Sequence, residues 1–154
     1  MPHTVGKNEV DAAVQTARQA FESWVAVSLD ARVAILKHFA ELLTQRKGEI
    51  AETICLDTGK PRWDALTEVA AMIGKVDISI EMYRTRCAET QKKLPEAVGV
   101  TRFKPHGVVV VLGPFNFPGH VPNGHIVPAL LAGPGGRSWR TAVVDSCALL
   151  QAHA

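Results

Sequence analysis

Apolar residues in the first part of the chain recur at the spacing of amphipathic helices. Val10, Val14 and Phe21, with further apolar residues in step, follow one another at intervals that keep to one helical face. The same pattern continues through two more segments as far as Tyr83. We therefore predict three helices that pack as scaffold. Their predicted inward faces comprise Val10, Val14, Ala17, Phe21 and Trp24 in the first; Val33, Leu36, Phe39, Ala40, Leu43, Ile50, Ile54 and Cys55 in the second; and Leu66, Val69, Ala70, Ile73, Val76, Ile80 and Tyr83 in the third.

Residues that start or stop helices delimit these segments. Asn8 and Ser28 can accept hydrogen bonds from a first helical turn, and we predict them as the first two N-caps. Pro61 is predicted at the first position of the third helix, where its missing N–H costs nothing. Gly48 predicts a bend in the second segment. Gly59 predicts its end, because glycine readily takes the left-handed conformation of a helix stop.

The pattern changes after Leu94, where residues 98–104 alternate weakly as in a strand. Residues 108–112 are consecutive apolar residues, mostly valine, which is typical of a strand buried on both faces in a parallel sheet. Such a strand needs partners, and residues 98–104 and 141–144 are the candidates. Residues 119–123 are predicted as a loop, followed by a short helix to about Leu131.

Asn116 is the candidate functional side chain. It lies between Pro114 and Pro118, directly flanked by Phe115 and Phe117, just beyond the predicted buried strand. Open α/β sheets bind their ligands beyond the carboxyl ends of their strands. A neutral amide N–H₂ suits the stabilisation of a developing oxyanion. An asparagine can equally cap the following turn, and the residues alone leave both roles open.

Composition narrows the class of protein. The chain has 154 residues, 47% of them hydrophobic, which is enough for one domain with a core. Its net charge is +2 and its basic residues are dispersed, so we expect no nucleic-acid partner. No apolar run approaches the ~20 residues of a membrane span, and the N-terminus lacks an apolar signal segment. We therefore expect a soluble, cytoplasmic protein without a membrane partner.

The cysteines and histidines do not predict a metal site. His120 and His125 are not at the helical spacing of a zinc pair. The cysteines show no Cys-x-x-Cys spacing, and their odd number argues against a disulfide framework. We expect reduced thiols, with Cys55 on a core face. The residues considered are Cys55, Cys87, Cys147, His106, His120 and His125.

Residues 113–118, Gly-Pro-Phe-Asn-Phe-Pro, and the helix that ends at residues 126–133 resemble the NAD(P)-dependent aldehyde dehydrogenases. Residues 117–128 and 58–63 narrow this likeness to the succinylglutamic semialdehyde dehydrogenases of bacterial arginine breakdown. The resemblance covers residues 8–133. It implies an α/β fold: an incomplete NAD(P)-binding domain of Rossmann type, mostly helical here, with one buried parallel strand and one arm strand.

The same resemblance implies roles for individual residues. Asn116 becomes the catalytic oxyanion donor. The cofactor-binding residues become Leu112, Gly113, Pro114, Phe115 and Asn116. The implied cofactor is NAD, and the residues leave NADP open. The implied substrate is an acidic semialdehyde. Residues 95–104 become an arm strand that pairs with another subunit of a homo-oligomer, although an ordinary edge strand explains them equally well.

Beyond residue 133 the resemblance stops, and we interpret residues 134–154 as an off-family tail that is out of frame or otherwise aberrant. Cys147 does not match the Gly-Gln-x-Cys setting of the family's nucleophile, and no glutamate matches its base. We therefore expect the chain to be inactive alone, as part of an enzyme whose catalytic half lies elsewhere. Two alternatives remain open: a non-catalytic assembly module, and a small α/β binding protein that uses the Asn116 loop.

Overall fold

The computed structural model describes residues 6–103, 107–132 and 140–142, the last three by their backbone only. Five helices and four strands lie in these residues. In chain order they are α1 (Lys7–Ala26), α2 (Leu29–Gln45), α3 (Lys47–Thr58), α4 (Arg62–Arg86), β1 (Thr90–Leu94), β2 (Ala97–Thr101), β3 (Val108–Val110), α5 (His120–Ala132) and β4 (Arg140–Ala142). The predicted α/β class, mostly helical, is confirmed.

Two predicted helix boundaries are confirmed with their chemistry. Ser28 is the N-cap of α2, and its hydroxyl accepts a hydrogen bond from the Ala31 N–H at 3.2 Å. Gly59 ends α3 with φ of 71°, a left-handed conformation that disfavours residues with a Cβ. Both signals are local, because the cap and the groups it satisfies lie within one turn of each other.

Three predicted boundaries are wrong by one or two residues. Helix α1 begins before Asn8, because the Glu9 carboxylate accepts a hydrogen bond from the Gly6 N–H at 2.7 Å and Gly6 is the N-cap. The break between α2 and α3 lies at Arg46, and Gly48 is inside α3. Pro61 has ψ of 146°, which is extended, so it caps α4 from outside rather than occupying its first turn.

The core lies between α2, α4 and α5, with a second cluster between α3 and α4. The first contains Leu36, Val76, Ile80, Val127 and Leu131, and the second contains Ala51, Ile54, Ala65 and Val69. Cys55 packs against the second cluster, as predicted. Two members of the predicted faces, Val10 and Ala70, are exposed instead. Helix α1 has no fully buried residue; the Trp24 indole N–H attaches it to the Leu130 carbonyl at 3.1 Å.

The first pair of strands is a hairpin that the sequence predicts only in part. β2 overlaps the predicted strand at residues 98–104, but β1 was missed because its sequence, Thr-Gln-Lys-Lys-Leu, is polar. The two strands are antiparallel, with Leu94 opposite Ala97 at the turn. Every residue of the two strands is exposed except Gly99, which is half-buried. The hairpin therefore presents both faces to solvent.

The second pair consists of β3 and β4, which are parallel with Val109 opposite Thr141. The parallel geometry and the use of residues 141–142 as a partner are confirmed; residues 143–144 lie outside the described residues. Burial on both faces is wrong. The strand ends at Val110, which is 54% exposed, and Leu112 is 71% exposed. A parallel strand is covered only when layers lie on both faces, and the described residues supply one neighbouring strand.

Helix α5 begins at His120, so the predicted loop at residues 119–123 is wrong. Its buried residues, including Val127 and Leu131, face α2 and α4. Pro122 is tolerated because it lies in the first turn, where its N–H would have no helical acceptor. Among the described helices, none is both long enough and apolar enough to cross a membrane.

Candidate functional site

Asn116 lies in a tight turn that joins β3 to α5. Val111 is buried beyond the end of β3, and the chain then emerges to the surface at Leu112. The Phe117 N–H donates to the Pro114 carbonyl at 3.3 Å, which places Phe115 and Asn116 at the tip of the turn. The Asn116 side chain is exposed and forms no hydrogen bond with another described residue. Within the described part of the chain, the amide faces solvent and makes no hydrogen bond that would cap the following turn.

Apolar side chains surround this amide at the surface. Leu112, Phe115 and Phe117 are 71%, 58% and 37% exposed. Rigid apolar surface beside a single polar group is the composition typical of a small-molecule site. The predicted cofactor-binding residues 112–116 lie together on one segment, which is exposed except at the half-buried Gly113.

The loop is held from below by Glu68, which the sequence analysis missed. The Glu68 side chain is completely buried, and its Oε2 lies 2.6 Å from the Lys60 Nζ. Its Oε1 accepts hydrogen bonds from the Gly119 N–H at 2.9 Å and the His120 N–H at 3.0 Å. These are backbone donors at the start of α5, which have no acceptor within the helix. A carboxylate also interacts favourably with the positive end of the helix dipole.

Lys60 compensates the buried carboxylate and also contacts the loop. Its side chain is 10% exposed, and its Nζ lies 3.4 Å from Asp64. The same ammonium lies 4.2 Å from the centroid of the Phe117 ring, within the range of a cation–π interaction. Burial lowers the pKa of Lys60, but hydrogen bonds and charge attraction from Glu68 and Asp64 outweigh it, so the pKa is raised overall. Lys60 therefore remains an ammonium at neutral pH.

A third attachment lies one turn along α4, at Met72. The buried Asn123 side chain donates to the Met72 carbonyl at 3.0 Å. A Cβ on Gly119 would lie 2.6 Å from the Met72 Sδ, so only glycine allows this close approach without displacement. The start of α5 is thus seated directly on α4.

A groove of about 260 Å³ borders the loop on the side of α3. It ends at Pro118 and Gly119 and does not include Asn116. Its lining is mixed in charge and polarity: Arg46, Glu49, Ile50, Thr53, Ile54, Asp57, Pro118 and Gly119.

The other candidate residues are not brought together. His120 is half-buried and its Nδ1 has no partner in the described part of the chain, and His125 is exposed. No group of three or more histidine, cysteine or acidic side chains that could hold a metal occurs within residues 6–103 and 107–132. Cys55 and Cys87 are free and half-buried. His106 and Cys147 lie outside the described residues.

A sequence signal for Glu68 did exist. Ala65, Glu68 and Met72 follow one another at helical spacing, and Val69 is adjacent. They therefore place an acid on the buried side of α4. Acidic residues are almost never fully buried without a partner, so this position predicts a compensating group. The sequence does not indicate which group it is, because Gly119 and His120 are distant in the chain.

Comparison with known proteins finds relatives in one family. The aldehyde dehydrogenase family model matches residues 2–134. N-succinylglutamate 5-semialdehyde dehydrogenase of Burkholderia ambifaria (strain MC40-6) is 58% identical over 125 residues, and the match covers 81% of this chain and 26% of that enzyme. The enzyme of the same name from Chromobacterium violaceum is 54% identical over 125 residues, with the same coverage of 81% and 26%.

The fold agrees as well. Glyceraldehyde-3-phosphate dehydrogenase GapN from Methanocaldococcus jannaschii DSM 2661, solved with NADP, superimposes with a TM-score of 0.78 at 27% identity, covering 85% of this chain and 28% of that chain. The chain thus spans 26% of the length of the curated relatives named above. Because the family match covers most of its residues, the chain belongs to the aldehyde dehydrogenase family.

Proposed function

We propose that this chain supplies the oxyanion-binding loop and part of the cofactor site of an NAD(P)-dependent aldehyde dehydrogenase. The observation that carries the proposal is Asn116: its exposed amide makes no hydrogen bond to another described residue, on a turn attached to a buried ion pair. No hydrogen bond to another described residue has to break before this amide donates to a substrate oxygen on which charge develops.

The proposed chemistry assigns a limited part to these residues. Attack of a cysteine thiolate on an aldehyde carbonyl puts negative charge on the carbonyl oxygen, and the Asn116 amide N–H₂ donates a hydrogen bond to that oxygen. A bound nicotinamide cofactor supplies the hydride acceptor. Leu112 and Phe115 would hold it with the apolar surface they expose, and Gly113 and Pro114 would contribute backbone groups. The choice between NAD and NADP rests on residues outside this loop.

We propose N-succinylglutamate 5-semialdehyde as the substrate, in arginine breakdown. The names of the two enzymes at 58% and 54% identity support this choice. The likeness is carried in particular by residues 117–128, which include the first turns of α5. The nucleophile and the base lie outside the motifs found here, so we expect the 154 residues alone to lack turnover.

The test uses a full-length chimera in which residues 6–132 replace the matching segment of the Burkholderia ambifaria enzyme. Asn116→Ala in this chimera is expected to lower kcat by ~10²–10³ on the acidic semialdehyde, which is the usual cost of one oxyanion donor. Asn8→Ala, the same substitution at an exposed residue of α1, is the matched control, and we expect it to keep kcat within a few-fold. Unchanged turnover in Asn116→Ala overturns the oxyanion role.

A second proposal concerns assembly of the full-length enzyme. In the hairpin of β1 and β2, Leu94, Val98 and Val100 are 49%, 57% and 42% exposed. Exposed apolar strands with open edges are available to pair with another chain, so we propose that the hairpin is the arm of a homo-oligomer. Size-exclusion chromatography of the chimera should show an oligomer that Val98→Lys with Val100→Lys dissociates. An unchanged elution volume in this variant would contradict the proposal.

A further inference from the structure

Three residues, one in the connection between α3 and α4 and two in α4, contact the segment that follows Asn116. Lys60 contacts the Phe117 ring, Glu68 binds the N–H groups of Gly119 and His120, and the Met72 carbonyl accepts from Asn123. Phe117 is the residue directly after Asn116. The contacts therefore begin next to the amide and continue into the first turn of α5.

A buried ion pair joins two elements at a large cost in desolvation free energy. Taking Lys60 and Glu68 out of water costs free energy that their attraction only partly returns, and apolar residues of similar size often serve stability equally well. What apolar residues cannot do is accept two directed hydrogen bonds from backbone N–H groups. Stability alone therefore does not explain this ion pair, and we consider how it determines the position of the backbone that it binds.

We propose that Lys60 and Glu68 are positioning residues for the oxyanion loop. Glu68 fixes the start of α5 in direction, Lys60 fixes the Phe117 ring, and together they set where the Asn116 amide lies. This inference rests on the proposed function for its catalytic consequence, but its structural part does not depend on catalysis.

The structural part is tested on the 154-residue chain by amide hydrogen exchange. The amides at the start of a helix normally exchange freely because they lack helical acceptors. Here Gly119 and His120 should be protected. In the neutral pair Lys60→Met with Glu68→Met, these two amides should exchange at least about tenfold faster, since a charge-assisted acceptor is gone. The Val76 amide in α4 should keep its rate.

The matched control is an exposed ion pair between α3 and α4. Arg62 and Glu52 lie 2.7 Å apart with side chains 62% and 55% exposed. Arg62→Met with Glu52→Met removes the same kinds of charge and should leave the Gly119 and His120 amides unchanged. Should the buried double variant fail to fold, Glu68→Gln preserves the shape and should still accelerate the two amides. Unprotected amides in the wild type, or equal rates in Glu68→Gln, would overturn the proposal.

The catalytic part is tested in the full-length chimera. The neutral Lys60→Met, Glu68→Met pair should lower kcat by about tenfold or more and change KM by less than about threefold, because misplacing a catalytic group mainly affects the transition state. When Asn116→Ala is already present, adding Lys60→Met and Glu68→Met should not lower kcat further, because the two residues act through that amide. Full additivity would refute positioning. If Asn116→Ala alone costs nothing, the proposed function fails, and the exchange result still decides the structural part.

Discussion

Removing the Lys60 ammonium alone should destabilise the chain strongly. Lys60→Met leaves the completely buried Glu68 carboxylate without its cation, and it also takes a charge partner from Asp64. Glu68 would keep its two backbone donors, Gly119 and His120, which offset part of its desolvation. The ring of Phe117 would lose its cation but keep an apolar neighbour.

The magnitude follows from burial. Breaking one partner out of a buried ion pair typically costs 3–5 kcal/mol, and the backbone donors favour the lower end, about 3 kcal/mol. An exposed pair is worth only about 0.2–1 kcal/mol. Arg62→Met, which breaks the exposed pair with Glu52, is the control and should fall in that lower range.

Urea unfolding followed by far-ultraviolet circular dichroism measures both variants. With a slope of about 1–3 kcal/mol per M, Lys60→Met should lower the midpoint by about 1 M or more at an unchanged slope. The control Arg62→Met should lower the urea midpoint by only a few tenths of the shift expected for Lys60→Met. If both variants lose less than about 1 kcal/mol, the buried pair is not coupled to folding as argued, and the reasoning is refuted.

Three further predictions concern two glycines, the buried Arg32, and the dependence of stability on pH. Gly119→Ala should cost at most about 1 kcal/mol, because the flexible Met72 side chain can move away from the new Cβ. Gly74→Ala, where a Cβ meets nothing within 4 Å, should stabilise by about 0.5–1 kcal/mol; thermal melts that rank the two oppositely would contradict this. Arg32 is 2% exposed, and its Nε and Nη1 have no hydrogen-bond partner among the described residues, so Arg32→Met should raise the free energy of unfolding by about 1–3 kcal/mol; a loss in urea titration would contradict this. The pKa of Lys60 is raised above its ordinary value of 10.5. The difference in the free energy of unfolding between wild type and Lys60→Met should therefore be constant below that pH and shrink only as the pH rises through the raised pKa. A difference that already narrows at neutral pH would contradict this.

Local chemistry made much of the helical scaffold predictable. Ser28 and Gly59 act on groups within their own turn, so their roles are visible in the sequence. The apolar stripe of α4 likewise predicted Val69, Val76 and Ile80 as core. Each of these signals needs only neighbours in the chain.

Features set by distant contacts were not predictable in the same way. Helix α5 begins at His120 because Glu68 accepts its first N–H, and that acceptor is a tertiary neighbour. The position of Val110 and Leu112 at the surface depends on which layers cover β3, which a run of valines does not specify. For Asn116, the turn chemistry marked the residue, but family resemblance was needed to favour catalysis over capping.

The rate of the first turnover in the full-length chimera is the most direct test, since it isolates formation of the covalent adduct from product release. Rapid mixing with the acidic semialdehyde and NAD, followed by absorbance of the reduced cofactor, gives this rate for wild type and Asn116→Ala. A first turnover slowed by ~10²-fold or more is expected if that amide donates to the developing oxyanion. A first turnover at the wild-type rate would contradict it.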